Sequence, residues 1–180
     1  FKTANGRIVY EGHGIQPDVK IEPEMLSTIT AHLYAQNMIF KYANKFFREN
    51  KTIAAPEEFE ITDEIYDDFV KFVEEQEFKY TSESEKDFDE LVKTAKLEGY
   101  YDNIKEQLDI LENELKSHKD NDLINNKKEI SEILKMEIVG RYYFQKGKII
   151  SSLKDDVELN RAVEILLNSN GKNEYKTILK

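Results

Sequence analysis

The chain has no cysteine and no tryptophan, and only three prolines and seven glycines in 180 residues. Without cysteine, disulfides and thiolate metal sites are excluded, and the redox compartment stays open. With so few breakers, long helices can run uninterrupted. No apolar run approaches the roughly 18 residues of a membrane span. Basic charge is also in short supply, since 26 Lys/Arg face 36 Asp/Glu for a net charge of −10. The excess is local. Glu57–Glu90 holds 15 Asp/Glu against three Lys, and the rest of the chain is close to neutral. Such a surface repels phosphate backbones, so no nucleic-acid partner is expected. The acidic block reads as a solvated helix face, with a basic protein partner as the sharper alternative.

What is present is a helix-rich composition, 34% charged and 39% hydrophobic. The length suits one domain with a core, or a small helical domain with an appendage. The expected fold is mainly α, a multi-helix bundle with a short N-terminal β-strand pair. The division falls at residues 1–22 and 23–180. The chain begins with Phe1 rather than Met, so a truncated N-terminus is expected. A missing signal peptide then carries no information about secretion.

Residues 1–22 show strand and turn chemistry. Arg7–Tyr10 and Val19–Ile21 are β-prone, with Gly12, Gly14 and Pro17-Asp18 between them. Pro23 suits the first turn of a helix. Leu26, Ile29, Leu33, Phe40 and Phe47 then follow a heptad-like spacing, and Ile39, Tyr42 and Phe46 add a second stripe. A helix apolar on two sides belongs at the centre of a bundle. Lys51–Ile61 reads as a loop. Thr62 is the expected N-cap of the next helix, and Ser82 with Glu85 forms a capping box for another. Gly99 bends or breaks that helix. Ile104, Leu108, Leu111 and Leu115 form a stripe, Ser117–Asp122 a turn, and Ile130, Leu134, Ile138 and Tyr142 a return stripe. Together these predict an antiparallel hairpin. Gly147 is expected to interrupt or end the return helix. Asp155 or Asp156 caps a further helix with Leu159, Ala162, Val163, Leu166 and Leu167, and a short one covers Tyr175–Leu179.

Chemistry is harder to find. His13, His32 and His118 are far apart and none sits in a ligand-spaced motif. The glycines around His13 lack the third glycine and following helix of a phosphate loop. Carboxylate pairs such as Asp67-Asp68 and Glu74-Glu75 do not face each other on a helix. The aromatic runs Tyr100-Tyr101 and Tyr142-Tyr143-Phe144 read as packing. No catalytic, cofactor-binding or metal-ligating residue is expected in this chain.

The opening FKTANGRIVYEGHGIQPDVKIEP resembles a pattern of carboxy-terminal processing peptidases, also called tail-specific proteases. It is carried by Thr3, Gly6, Arg7, Val9, Gly14, Ile15, Pro17, Asp18 and Val19, with His13 where that family often has glycine. Glu137–Gly147, Asp155–Leu167 and Tyr175–Leu179 are similar to the helical C-terminal region of one Gram-negative branch. The resemblance implies that residues 1–22 are the last strands of a protease domain. It also implies a serine nucleophile, a lysine base and a PDZ domain, all upstream of Phe1 on the same polypeptide. None of Ser27, Ser82, Ser84, Ser117, Ser131, Ser151, Ser152 and Ser169 occupies the nucleophile motif.

Two readings of function follow. In the first, the chain is the non-catalytic C-terminal region of such a protease, acting on peptide substrates in the cell envelope, in the periplasm. Its helices then support self-association, control access to the protease, or cover the edge of its sheet, and homo-oligomer assembly is the favoured role. In the second, the chain is a free-standing acidic helical adaptor that binds a basic partner through Glu57–Glu90.

Overall fold

The structure is a computed structural model that describes residues 1–2, 8, 12, 17–23, 25–167 and 175–177. It is mainly helical. The helices are α1 (Thr28–Ala35), α2 (Met38–Glu49), α3 (Asp63–Glu75), α4 (Glu83–Glu98), α5 (Tyr101–Asp120), α6 (Asp122–Asn125), α7 (Lys127–Ser152) and α8 (Val157–Leu167). The chain divides into a core unit, Leu26–Ser151, and a terminal unit made of Phe1–Met25 and Ser152–Lys180.

The core unit is built on α1, α2, α3 and the first half of α7. Leu33, Tyr42, Phe69, Ile130, Leu134, Ile138 and Val139 are completely buried in it. Burying aliphatic and aromatic side chains of this size stabilises a fold by about 1.5–3 kcal/mol each. The polar ends of buried tyrosines find partners. Tyr42 Oη donates to Ile65 O at 3.0 Å and Asp68 Oδ2 at 2.9 Å, and Tyr66 Oη donates to Leu123 O.

Local signals place several helix ends as expected. Thr62 caps α3, accepting from Ile65 N. Ser82 and Glu85 form the capping box of α4, at 3.1 and 2.7 Å. Gly99 ends α4 in the left-handed region at φ 77°. Asp156 Oδ1 accepts from Leu159 N at the start of α8.

Other expectations are corrected. The first helix begins at Thr28 under a Ser27 cap, and Pro23 precedes it in non-helical chain. It does not run unbroken, because Asn37 takes a left-handed conformation (φ 60°), which Asn tolerates better than most residues. The break resets the register, so the inward stripe passes from Ile29 and Leu33 to Ile39 and Tyr42. Leu26, Phe40 and Phe47 of the expected stripe are left exposed. The expected Ser117–Asp122 turn is narrowed to Asn121, because α5 runs on to Asp120, and a second turn falls at Asn126. The close antiparallel hairpin is α4–α5, joined at Gly99, rather than α5 with α7. The reason is that Ile130, Leu134 and Ile138 pack into the core with α1–α3.

The terminal unit holds α8, whose Ile165 is buried. Among the described residues there is no strand in place of the expected pair. Val19–Ile21 is non-helical chain with a bend at Asp18 and Val19, and Lys2 and Ile8 form an isolated antiparallel bridge. Arg7, Val9 and Tyr10 of the first expected strand lie outside the described residues, as do Thr3, Gly6, Gly14 and Ile15 of the motif. Two strands alone do not make a stable sheet. Tyr175–Thr177 forms a helical turn where the last helix is expected.

Candidate functional site

The most distinctive feature of the core unit is α4–α5. At 1.5 Å per residue the two helices are about 24 and 30 Å long. They pack along one seam, in which Ala95 and Leu108 are buried and Phe88, Val92, Ile104 and Leu115 are half-buried. Neither helix contributes to the buried core cluster. Leu91, Leu97, Tyr100, Ile110 and Leu111 stay exposed, Leu97 at 89%. The hairpin is an arm with a thin internal seam and unpartnered apolar side chains.

A polar clasp fixes the base of this arm. Lys119 Nζ donates to both Glu85 carboxylate oxygens, at 2.9 and 2.8 Å, and to the Tyr80 carbonyl. It also lies 4.7 Å from the Tyr80 ring centroid. Tyr80 Oη donates to Asp122, and its ring packs against Phe78 and His32. Phe78 and Tyr80 rest on the core cluster, so the clasp links arm to core. Burial raises the Glu85 pKa, but the Lys119 and Ser82 hydrogen bonds outweigh it and hold the carboxyl below its ordinary range.

The second feature is a corner inside α7. Phe144 has φ 56° and ψ −157°, a backbone region that is essentially glycine-only. The break is therefore at Phe144 and not at the expected Gly147. Residues 145–151 fold back on the preceding turns. Lys148 Nζ pairs with Glu137 Oε2 at 2.8 Å, and Arg141 Nη1 with Glu137 Oε1 at 2.7 Å. A Cβ on Gly147 would stand 2.2 Å from Tyr143 Cβ and 3.1 Å from Val139 Cγ1, so only glycine fits this crossing. Burial pushes the Glu137 pKa up, but Lys148 and Arg141 overcome it and hold the group below the usual carboxylate range.

The acidic block is largely solvent-exposed, but four of its carboxylates pair with lysines from other parts of the chain. Asp63 pairs with Lys127 at 2.7 Å, Asp68 with Lys45 at 2.9 Å, Glu60 with Lys135 at 3.0 Å and Glu85 with Lys119. These lysines come from α2, α5 and α7. The block is thus partly an internal fastening for the bundle.

The residues considered for chemistry remain apart. His32 packs on Tyr80, His118 is exposed near the end of α5, and His13 lies outside the described residues. Ser27 caps α1 and donates to Glu129 at 3.0 Å, Ser82 caps α4, and Ser151 Oγ donates to Lys148 O. These hydroxyls perform capping and backbone bonding. Among the described residues no group of three His, Asp or Glu could hold a metal ion. The terminal unit has an open groove of about 780 Å³ lined by Val19, Ile21, Ala162, Ile165, Leu166 and Tyr175 among others. Among the described residues no helix is long and apolar enough to cross a membrane.

No curated protein and no solved structure gives a significant match to this chain. The model of one family, described as "Probable PDZ-protease, C-terminal helical domain", matches residues 29–166. That span takes in α2 to α7, most of α1 and nearly all of α8, so the arm, its clasp and the α7 corner all lie inside the match. The chain belongs to the family of C-terminal helical domains of probable PDZ-proteases.

Proposed function

We propose that the chain is the non-catalytic C-terminal region of a carboxy-terminal processing serine protease, and that its helical domain supports assembly of that enzyme. The observation that carries the assembly role is the α4–α5 arm. Two long helices stand outside the core cluster with Leu91, Leu97, Ile110 and Leu111 uncovered, and a dedicated clasp holds their base. A thin seam of this kind gains most of its stability from what it packs against. The serine nucleophile, the lysine base and the PDZ domain are assigned to the polypeptide before Phe1, by resemblance of the opening motif. The site of action on this reading is the periplasm, and the substrates are proteins or peptides recognised near their C-termini.

The adaptor reading draws only on the acidic block, and four of that block's carboxylates already hold lysines of this chain. The test of the assembly role is sedimentation of the whole protease with Glu83–Asp120 replaced by a short Gly/Ser linker. Loss of the oligomer supports the arm as its contact element. An unchanged mass removes that role.

A further inference from the structure

We propose that α7 is the hinge of a domain-swapped dimer, in which two copies of this chain exchange the segment that follows Phe144. This inference rests on the α7 corner and not on the α4–α5 arm, so either can fail without the other. The corner has no loop. Phe144 alone, at φ 56° and ψ −157°, reverses the chain within what is otherwise one 26-residue helix. Short strained hinges favour exchange, because the open form releases the strain and a partner restores every lost contact. Here the open form is α7 as a continuous helix of about 39 Å.

The contacts described across the corner are local and transferable. Residues 147 and 148 meet Glu137, Val139, Gly140 and Tyr143, and nothing in that set depends on chain connectivity. Lys148 lies along Gly140 so closely that a Cβ there would stand 2.1 Å from its Cε. Gly147 is buried at the crossing, and Ser151 is buried beyond it. In the exchanged dimer the segment of one copy lies on Glu137–Gly140 of the other, twice, about a two-fold axis. Such an interface closes on itself and stops at two copies.

Two substitutions separate the hinge from the crossing. Phe144→Gly removes the cost of the glycine-only conformation and favours the closed monomer. Gly147→Ala puts a Cβ against Val139 and Tyr143 whether the segment lies on its own chain or on the partner copy, so it weakens monomer and dimer alike. The measurement is sedimentation of the 1–180 chain across a concentration series after refolding from denaturant at high concentration. The expected result is a wild-type dimer whose association constant falls by about thirtyfold in Phe144→Gly, because each dimer opens two hinges, and changes little in Gly147→Ala.

A charge-reversal mixture tests the exchange itself. Glu137→Lys and Lys148→Glu each place like charges across their own corner. In a swapped heterodimer of the two variants, one crossing carries the ion pair with its charges reversed and the other keeps the wild-type pair. Co-refolding them in equal amounts should yield dimer well above the level of either alone. Three results overturn the proposal: a wild-type chain that stays monomeric at every concentration, a dimer indifferent to Phe144→Gly, or a mixture that gives only the average of its components. Should Gly147→Ala fail to fold, Phe144→Gly and the mixture still decide.

Discussion

Lys119, in the last turn of α5, holds Glu85, in the first turn of α4, at 2.8 Å. Glu85 is at the same time the third helical residue of its own capping box. One carboxylate therefore fixes a helix start and fastens the two ends of the arm together. Charge-assisted hydrogen bonds of this kind contribute about 1.5–3 kcal/mol when partly buried. Lys119→Met should leave the core intact and loosen the arm. Hydrogen exchange is expected to accelerate in α4 and α5 while α2 and the first half of α7 keep their protection. Equal acceleration throughout would mean that arm and core unfold as one.

The core centres on α7 packed against α1–α3. Leu134 is completely buried, and truncation of such a leucine costs about 2–5 kcal/mol. Leu134→Ala should lower the urea midpoint by far more than Leu97→Ala, whose side chain is 89% exposed. Comparable losses at the two positions would contradict the assignment of core and surface.

Phe144 carries a strained, positive-φ backbone. Such strain costs about 1–3 kcal/mol at a non-glycine residue, against which glycine loses roughly 0.5–1 kcal/mol of chain entropy. Phe144→Gly is therefore expected to stabilise the monomer by about 1 kcal/mol in dilute urea titrations. A destabilised variant would show that the Phe144 side chain contributes more than its backbone costs.

Buried tyrosines set the alkaline limit. Burial raises Tyr42 and Tyr66 well above the ordinary phenol value, Tyr42 with added help from Asp68. In the unfolded chain both ionise near pH ~10. Above that pH the native state binds more protons than the unfolded state, so stability falls as pH rises. The slope is up to about 1.4 kcal/mol per pH unit for each tyrosine. Phenolate absorbance should show two or more tyrosines that titrate only as the fold is lost. Free titration of every tyrosine in the folded protein would refute this.

Acid acts through Glu137, Glu85 and Asp68. Burial raises the two glutamates, but their cationic partners prevail, and the Lys45 hydrogen bond is the largest effect on Asp68. All three groups have folded pKa values below their unfolded ones. The stability they provide is fully present above the unfolded value and is lost as pH falls through the lower folded value. Glu137→Gln should flatten part of this acid loss. An unchanged pH profile in that variant would argue against the α7 ion pairs.

Features set by a few neighbouring residues are legible in the sequence. The caps at Thr62, Ser82 and Asp156 and the stop at Gly99 each depend on side chains within four positions. The breaks at Asn37 and Phe144 depend on tertiary packing, which outweighs local preference. No composition rule places a phenylalanine in a glycine-only conformation. The only local trace of that corner is the pair Gly140 and Gly147, whose spacing marks a close crossing once the chain is known to turn. The acidic block is deceptive for a related reason. Its charge count is local, whereas its lysines lie 23 to 75 positions away. The arm is hidden in the sequence because Leu108 and Leu111 read as one stripe, although only Leu108 is buried.

In the proposed role this domain assembles a protease without taking part in its chemistry. The most direct measurement is sedimentation equilibrium of the whole protease beside a version that ends at Glu22, each also assayed for hydrolysis of a short peptide. Truncation is expected to lower the assembled mass and leave peptide hydrolysis in place. An unchanged mass, or hydrolysis abolished in a truncated protein that remains folded, would contradict it.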